Sequence, residues 1–287
     1  MKKIIQIILI VLLFGACAKP AQPKRPVFTL DDYPLVDGST VTIPFSEALC
    51  AKLTDNSLET CRTRIYHNKT HPAYLNLILK NVDLIFVTSP SQEELAYAAS
   101  NLVELEVIPI TSEAFVFLTS ADNPVESLTL QQVQKIYTGE ITNWKEVGGN
   151  DMPIIAFQRP VNSGSQTGFL ELVMQGLTPS DAPTEWVAAE MGELVDKIAG
   201  YQNGPSAIGY SYYYFVTDMW KDMNVKLIKI DGVYPDKTTI STGQYPITTA
   251  YYAVIRKDEP KKSEIRNIIA WILSPNGQQL VEDAGYV

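Results

Sequence analysis

The sequence predicts an α/β fold in two lobes. Short apolar runs alternate with segments of helical period, the pattern of sheets covered by helices. The chain has 287 residues, more than one small core needs and enough for two lobes. Several strand-like runs also end in Ser/Thr-rich turns that open a helix. In open α/β sheets, ligands bind beyond such strand ends.

The elements follow in chain order. Lys2 and Lys3 precede an apolar run from Ile4 to Phe14, broken only by Gln6. Its length suits a secretory signal rather than a stable membrane span. Gly15-Ala16-Cys17 then resembles the bacterial lipoprotein signal, in which the cysteine is lipidated and becomes the new N-terminus; Phe14 stands where that motif prefers Leu. An ordinary cleaved signal with an incidental Cys17 is the alternative. The expected layout is a signal peptide over 1–16 and a lipid-tethered linker over 17–29. "AKPAQPKRPV" at 18–27 is Pro-rich and without periodicity, as a tether is. The body is then extracytoplasmic, anchored to the bacterial cell membrane through Cys17; several acyl chains hold firmly where one holds weakly.

Loss of Lys2 and Lys3 with the signal takes the formal charge from −9 to −11, since the signal holds no acid. An acidic surface argues against nucleic acid or an anionic membrane face as partner. It does not exclude a small anion, because aimed local donors outweigh a net charge screened over roughly 8–10 Å. Cys50 and Cys61 are the remaining cysteines. Outside the cytoplasm they are free to pair or to stay as two buried thiols. Neither has His or Cys partners at metal spacing, so neither a metal site nor a cofactor is expected.

"VDLIFV" (82–87), "EAFVFLTS" (113–120) and "AYYAVI" (250–255) are nearly continuous apolar runs and read as buried parallel strands. Thr129 and Gln132 form a capping box that starts a helix with Leu130, Val133, Ile136 and Tyr137 on one face, ended by Gly139. "SEIRNIIAWIL" (263–273) is a second amphipathic helix, stopped by Ser274-Pro275. "YSYYYF" (210–215) reads as core or cleft-wall packing, with a stacking platform as the alternative.

The stretch "FQRPVNSGSQTGF" (157–169) carries the strongest chemical signal. Ser163 or Ser165 caps a helix whose first N–H groups have no internal partner, an end that attracts anions. Gly164 permits the turn, and Arg159, just past an apolar run, is able to add two parallel donors. Three further starts share this form. Gly38-Ser39-Thr40-Val41 leads to Pro44 in a first helical turn; Thr70 reads as the N-cap before Pro72; Thr88 and Ser89 end the run "VDLIFV". A charge-assisted hydrogen bond contributes about 1.5–3 kcal/mol, whereas micromolar affinity needs about 8 kcal/mol before association costs. One loop is too little; converging loops suffice. A serine hydrolase needs a base near Ser163 or Ser165. The two histidines, His67 and His71, lie near the third start, no Gly-x-Ser-x-Gly elbow occurs, and His71 reads as a first-turn helix residue.

These residues, with "DGSTVTIPFSEA", "IYTGEITNWKEVGG", "SAIGYS" and "LSPNGQQLVEDAGYV", resemble the phosphate-type substrate-binding proteins of bacterial ABC importers over nearly the whole mature chain. Tyr-x-Gly-x-Ile-x-Asn-Trp together with Arg-x-x-x-Ser-Gly-Ser is the specific part. The resemblance implies a type II periplasmic-binding-protein-like fold with crossing hinge strands, lobe 1 over 30–115 plus 249–287 and lobe 2 over 116–248. It also implies a monomer without enzymatic activity that closes on a dehydrated oxyanion, phosphate in first place, and delivers it to an ABC permease. Ser39, Thr40 and the Val41 N–H, Thr70, Thr88, Ser89, Arg159, Ser163, Gly164 and Ser165 are the implied ligand residues. The family commonly has Asp where this chain has Thr88. A hydroxyl carries no charge to repel a fully ionised anion such as sulfate. An oxyanion-sensing or surface-attachment lipoprotein of the same fold is the second reading.

Overall fold

A computed structural model describes residues 22–200, 204–221 and 223–287. The apolar N-terminal run and Cys17 lie outside the described residues, and with them the expected signal and lipidation site. In chain order the first strands are β1 (Val36–Gly38), β2 (Leu84–Val87), β3 (Leu105–Pro109), β4 (Glu113–Ser120), β5 (Ser127–Leu128) and β6 (Ile155–Ala156). Then follow β7 (Ala207–Tyr212), β8 (Val225–Leu227), β9 (Lys229–Ile230), β10 (Thr248–Thr249) and β11 (Tyr252–Arg256). One sheet has the order β1-β2-β11-β3; the other has β10-β4-β7-β6, with β8 also paired to β4, and β5 pairs with β9.

The chain passes from the first sheet to the second through 110–112 and returns through 250–251. The two passages are bonded to each other. Ile110 N–H donates to the Tyr251 carbonyl, and Tyr251 N–H to the Thr111 hydroxyl, both at 2.9 Å. The exchange between sheets thus sits a few residues off the sequence boundaries at 115/116 and 248/249. Glu113 already pairs with Thr249, and β10 belongs wholly to the second sheet.

Strand direction departs from the expectation. β2 is parallel to β1 but antiparallel to β11, β11 is antiparallel to both neighbours, and β4 is antiparallel to β7, β8 and β10. All eight residues of β4 are buried. An unbroken apolar run reports burial on both faces, and a crossing strand covered by helices meets that condition whatever its direction.

The helices are α1 (Ile43–Thr54), α2 (Leu58–Arg62), α3 (Thr70–Ile78), α4 (Gln92–Ser100), α5 (Leu130–Tyr137), α6 (Gly164–Gly168), α7 (Met191–Ala199), α8 (Lys237–Ser241), α9 (Glu264–Ile272) and α10 (Pro275–Asp283). The Thr129/Gln132 capping box is present on α5. Ser274-Pro275 ends α9 and, in the same step, caps and starts α10, since proline fits a first turn. Tyr210 stacks on Phe169 with ring centroids 4.5 Å apart, which places this part of the aromatic run in the core. The described end of the expected tether is docked. Arg25 forks onto the Asp55 carboxylate at 2.8 and 3.0 Å, and the Phe28 ring meets Tyr33 edge-on. Cys50 and Cys61 are free, buried thiols, and burial together with the neighbouring Cys61 thiol pushes Cys50 up to about 12.

Glu113 opens β4 at the crossing and is buried. Burial pushes its carboxyl up to about 7 from an ordinary 4.5, against the opposing pull of the Ala114 and Tyr214 N–H groups at 2.8 and 3.3 Å. The folded chain therefore holds this proton where the unfolded chain has lost it. Stability falls as pH rises from about 4.5 to about 7, by roughly 3 kcal/mol at most, and the loss is complete above that window. Glu113→Gln is expected to flatten this part of the stability profile relative to the parent. Denaturant titrations at pH 4.5 and 7.5 measure it, and an equal decline in both proteins refutes the assignment.

Candidate functional site

A cavity of about 630 Å³ lies between the two sheets. From the first side it is lined by Ser39, Thr40, Val41, Thr70 and Thr88, and from the second by Arg159, Ser163, Gly164 and Ser165. Nine of the ten residues singled out from the sequence thus meet around one space. Ser89 is not among the lining residues; its hydroxyl donates to Glu171 Oε2 at 3.1 Å.

Local chemistry sets each position. Ser39 N–H donates to the Phe86 carbonyl at 2.9 Å. A Cβ on Gly38 would lie 2.8 Å from that same oxygen, so the close approach of β1 to β2 requires glycine. A 3₁₀ turn over Thr40–Thr42 follows and runs into α1. Thr42 N–H donates to the Ser39 carbonyl and Ile43 N–H to the Thr40 carbonyl, while the first N–H groups of the turn, those of Thr40 and Val41, have no intrahelical partner. Thr70 is the first residue of α3 rather than its cap. The cap is Lys69, at φ 73° and ψ 171°, a region that residues with a Cβ rarely enter. Thr88 directly follows β2, and the cap of α4 is Ser91 in a capping box with Glu94.

On the opposite side the Arg159 N–H is held by Gln166 Oε1 at 3.1 Å and by the Tyr210 hydroxyl at 3.0 Å. Ser163, not Ser165, is the N-cap of α6; its hydroxyl accepts from Gln166 N–H at 3.2 Å. The Ser165 side chain is thereby left for the cavity. The helix does not stay regular, for 169–174 widen into a π turn.

The electrostatics are those of a site built for an anion. Arg159 is 8 % exposed, and its Nη2 donates to the Ala189 carbonyl at 3.1 Å. Arg159 Nε and Nη1 and Ser165 Oγ have no hydrogen-bond partner among the described residues. Thr88 Oγ1 lies beside the Tyr212 hydroxyl without a well-formed bond to it. Burial pulls the Arg159 guanidinium down from its ordinary value, opposed by Tyr210, Glu190 and Glu193; arginine nonetheless stays protonated in proteins. A buried unpaired charge and two orphan hydroxyls, those of Ser165 and Thr88, are costly unless a ligand supplies the missing acceptors.

The two sides touch. A Cβ on Gly164 would lie 2.4 Å from Thr88 Oγ1 and 2.5 Å from Thr70 Oγ1, so a side chain there has no room. Three polar contacts bridge the cleft: Lys69 with Glu190, Asn162 Nδ2 with Glu93 Oε2 at 2.5 Å, and Ser89 with Glu171. Nothing in local sequence pairs residues this far apart. Lys69 itself had a signal, as the residue before a helix start, but its positive φ did not. Tyr212, in the run read as core or cleft-wall packing, lines the cavity; its hydroxyl donates to the Gly164 carbonyl at 2.9 Å and fixes the turn. Nucleophilic chemistry finds no partner here. Ser165 Oγ is unbonded, His71 Nδ1 meets Glu94 Oε1 at 3.0 Å, and His67 Nε2 meets Ser46 Oγ at 2.7 Å.

Residues 46–276 match the model of the PBP superfamily domain. The phosphate-binding protein PstS of Bacillus subtilis is 33% identical over 178 residues, 61% of this chain and 55% of that protein, so this alignment spans about half of the relative. PstS of Borreliella burgdorferi is 25% identical over 260 residues, 88% of each chain. Among solved structures, one described as a phosphate ABC transporter substrate-binding protein with bound phosphate, from Clostridium perfringens, has a TM-score of 0.65 at 26% identity, covering 88% of this chain and 97% of that one. An ABC-type phosphate transport receptor from Vibrio cholerae shares the fold, with a TM-score of 0.66 at 22% identity over 89% of this chain and 99% of that one. With the match extending from α1 into α10, the chain belongs to the PBP superfamily.

Proposed function

We propose that this chain is an extracytoplasmic solute-binding protein that captures an inorganic oxyanion, phosphate in first place, between its lobes and hands it to an ABC-type permease. The observation that carries this reading is the buried Arg159 with two free donor positions, facing Thr70 and Thr88 across the cleft beside Ser165. Tethering through Cys17 and a monomeric state complete the proposal, and both suit a receptor that delivers to a membrane partner.

Binding and release follow from the geometry. An oxyanion brings acceptors to Arg159 and Ser165 from one lobe and to Thr70 and Thr88 from the other. Its contacts to both lobes exist only when the cleft is shut, so binding favours the closed arrangement. Opening about 110–112 and 250–251 separates the two halves of the cradle and leaves neither half with enough donors. Every cradle side chain other than Arg159 is a hydroxyl, which donates or accepts as the ligand requires. The names of the relatives favour phosphate over sulfate; the uncharged Thr88 does not discriminate on charge.

Calorimetric titration with phosphate and then sulfate tests the reading. Phosphate heat is expected from the parent, and Arg159→Ala is expected to lose at least tenfold in affinity while remaining folded. No heat from either anion refutes the proposal, and unchanged affinity removes Arg159 from the cradle. Gly164→Ala is expected to weaken binding by tenfold or more through steric obstruction of closure. Its melting temperature without ligand is expected to stay near the parent's; unaltered affinity would mean that the lobes do not need this approach.

A further inference from the structure

The cavity is larger than its cradle. A tetrahedral oxyanion has five heavy atoms, and at a water's share of about 30 Å³ each they fill no more than about 150 Å³. The cavity measures about 630 Å³, within the range of sites that hold small organic ligands. Beyond Arg159 its wall turns apolar, formed by Met191, Phe215, Met219 and Trp220 with Val161 at the rim.

This wall is a constructed feature. The Trp220 ring stacks on Phe215 with centroids 5.7 Å apart and planes 13° apart. Its Nε1 donates to Asp196 Oδ1 at 2.9 Å. The ring also lies over Gly192, where a Cβ would come within 2.6 Å of it, so any side chain there would displace the ring. Trp220 nevertheless stays 37 % exposed. It ends a π turn over Phe215–Met219, a form that recurs at functional sites. The acidic residues around the wall are already engaged: Glu190 with Lys69, Glu193 with Lys197, and Asp196 with Trp220. What the wall offers is therefore apolar contact rather than a seat for a cation.

We propose that the cleft accepts a phosphate monoester, with the phosphoryl oxygens in the Arg159 cradle and a compact apolar substituent against Met191, Met219 and Trp220. The proposal rests on the oxyanion reading above and adds the class of ligand. No bond is made or broken; the ester is bound whole. A monoester retains three terminal oxygens to accept from Arg159, Ser165, Thr70 and Thr88, and the substituent occupies the volume that a bare anion leaves to water.

The probes are phenyl phosphate and inorganic phosphate, titrated calorimetrically into the purified protein and into its Trp220→Ala and Met219→Ala variants. Phenyl phosphate is expected to bind at least as tightly as inorganic phosphate. Trp220→Ala is expected to cut the ratio of the two affinities at least tenfold, and Met219→Ala to move it the same way, which keeps the test decisive if one variant does not fold. Phosphate binding without phenyl phosphate binding overturns the proposal and leaves the oxyanion reading intact. So does a ratio that moves less than twofold, since the apolar wall then serves another purpose, such as docking a membrane partner. Silence from both ligands removes the oxyanion reading and this proposal with it.

Discussion

A buried guanidinium with no ion-pair partner among the described residues organises this molecule. Arg159 sits 8 % exposed with Nε and Nη1 unbonded, and its nearest carboxylates, Glu190 and Glu193, are committed to Lys69, to Lys197 and to backbone N–H groups. Such a charge is tolerable where a ligand completes its hydrogen bonds. The surrounding structure keeps it in place: Tyr210 and Gln166 grip its backbone, Tyr210 is stacked on Phe169, and the Ala189 carbonyl takes Nη2. The core of the second lobe is thus continuous with the cradle.

The second constraint is closeness. Gly164 sits where any side chain would strike Thr70 and Thr88, so the cradle is assembled from both lobes at van der Waals distance. The bridging contacts of Lys69, Asn162 and Ser89 are exposed or partly exposed and individually weak. That suits the proposed capture and release, because a strong latch would hold the cleft shut without ligand. Phe115 and Tyr251 at the crossing are buried, so the passages between sheets stay packed.

Much of this was legible in the sequence, and the reasons differ by residue. The capping box on α5 is local, set by side chains three residues from their targets, and Thr129 and Gln132 are where the pattern puts them. The convergence of the four Ser/Thr-rich starts was legible as an α/β rule and as a family resemblance. What escaped were facts set by the third dimension. Strand direction is not encoded in an apolar run, so β4 and β11 read as parallel. Thr70 looks like a cap because its hydroxyl has the right chemistry, but Lys69 takes the turn at positive φ and frees that hydroxyl for the cleft. Ser89 differs from Thr88 by one position, and the chain turns between them, sending one hydroxyl to the cavity and the other to Glu171. The Trp220 wall depends on Gly192, which is 28 residues away, and no local pattern links them.

The most direct test of the account is a crystal structure of the protein grown with inorganic phosphate. The account predicts tetrahedral density in contact with Arg159 and Ser165 on one side and Thr70 and Thr88 on the other, with Gly164 still packed against both threonines. An anion bound elsewhere, or a cleft that stays shut and empty at saturating phosphate, would contradict it.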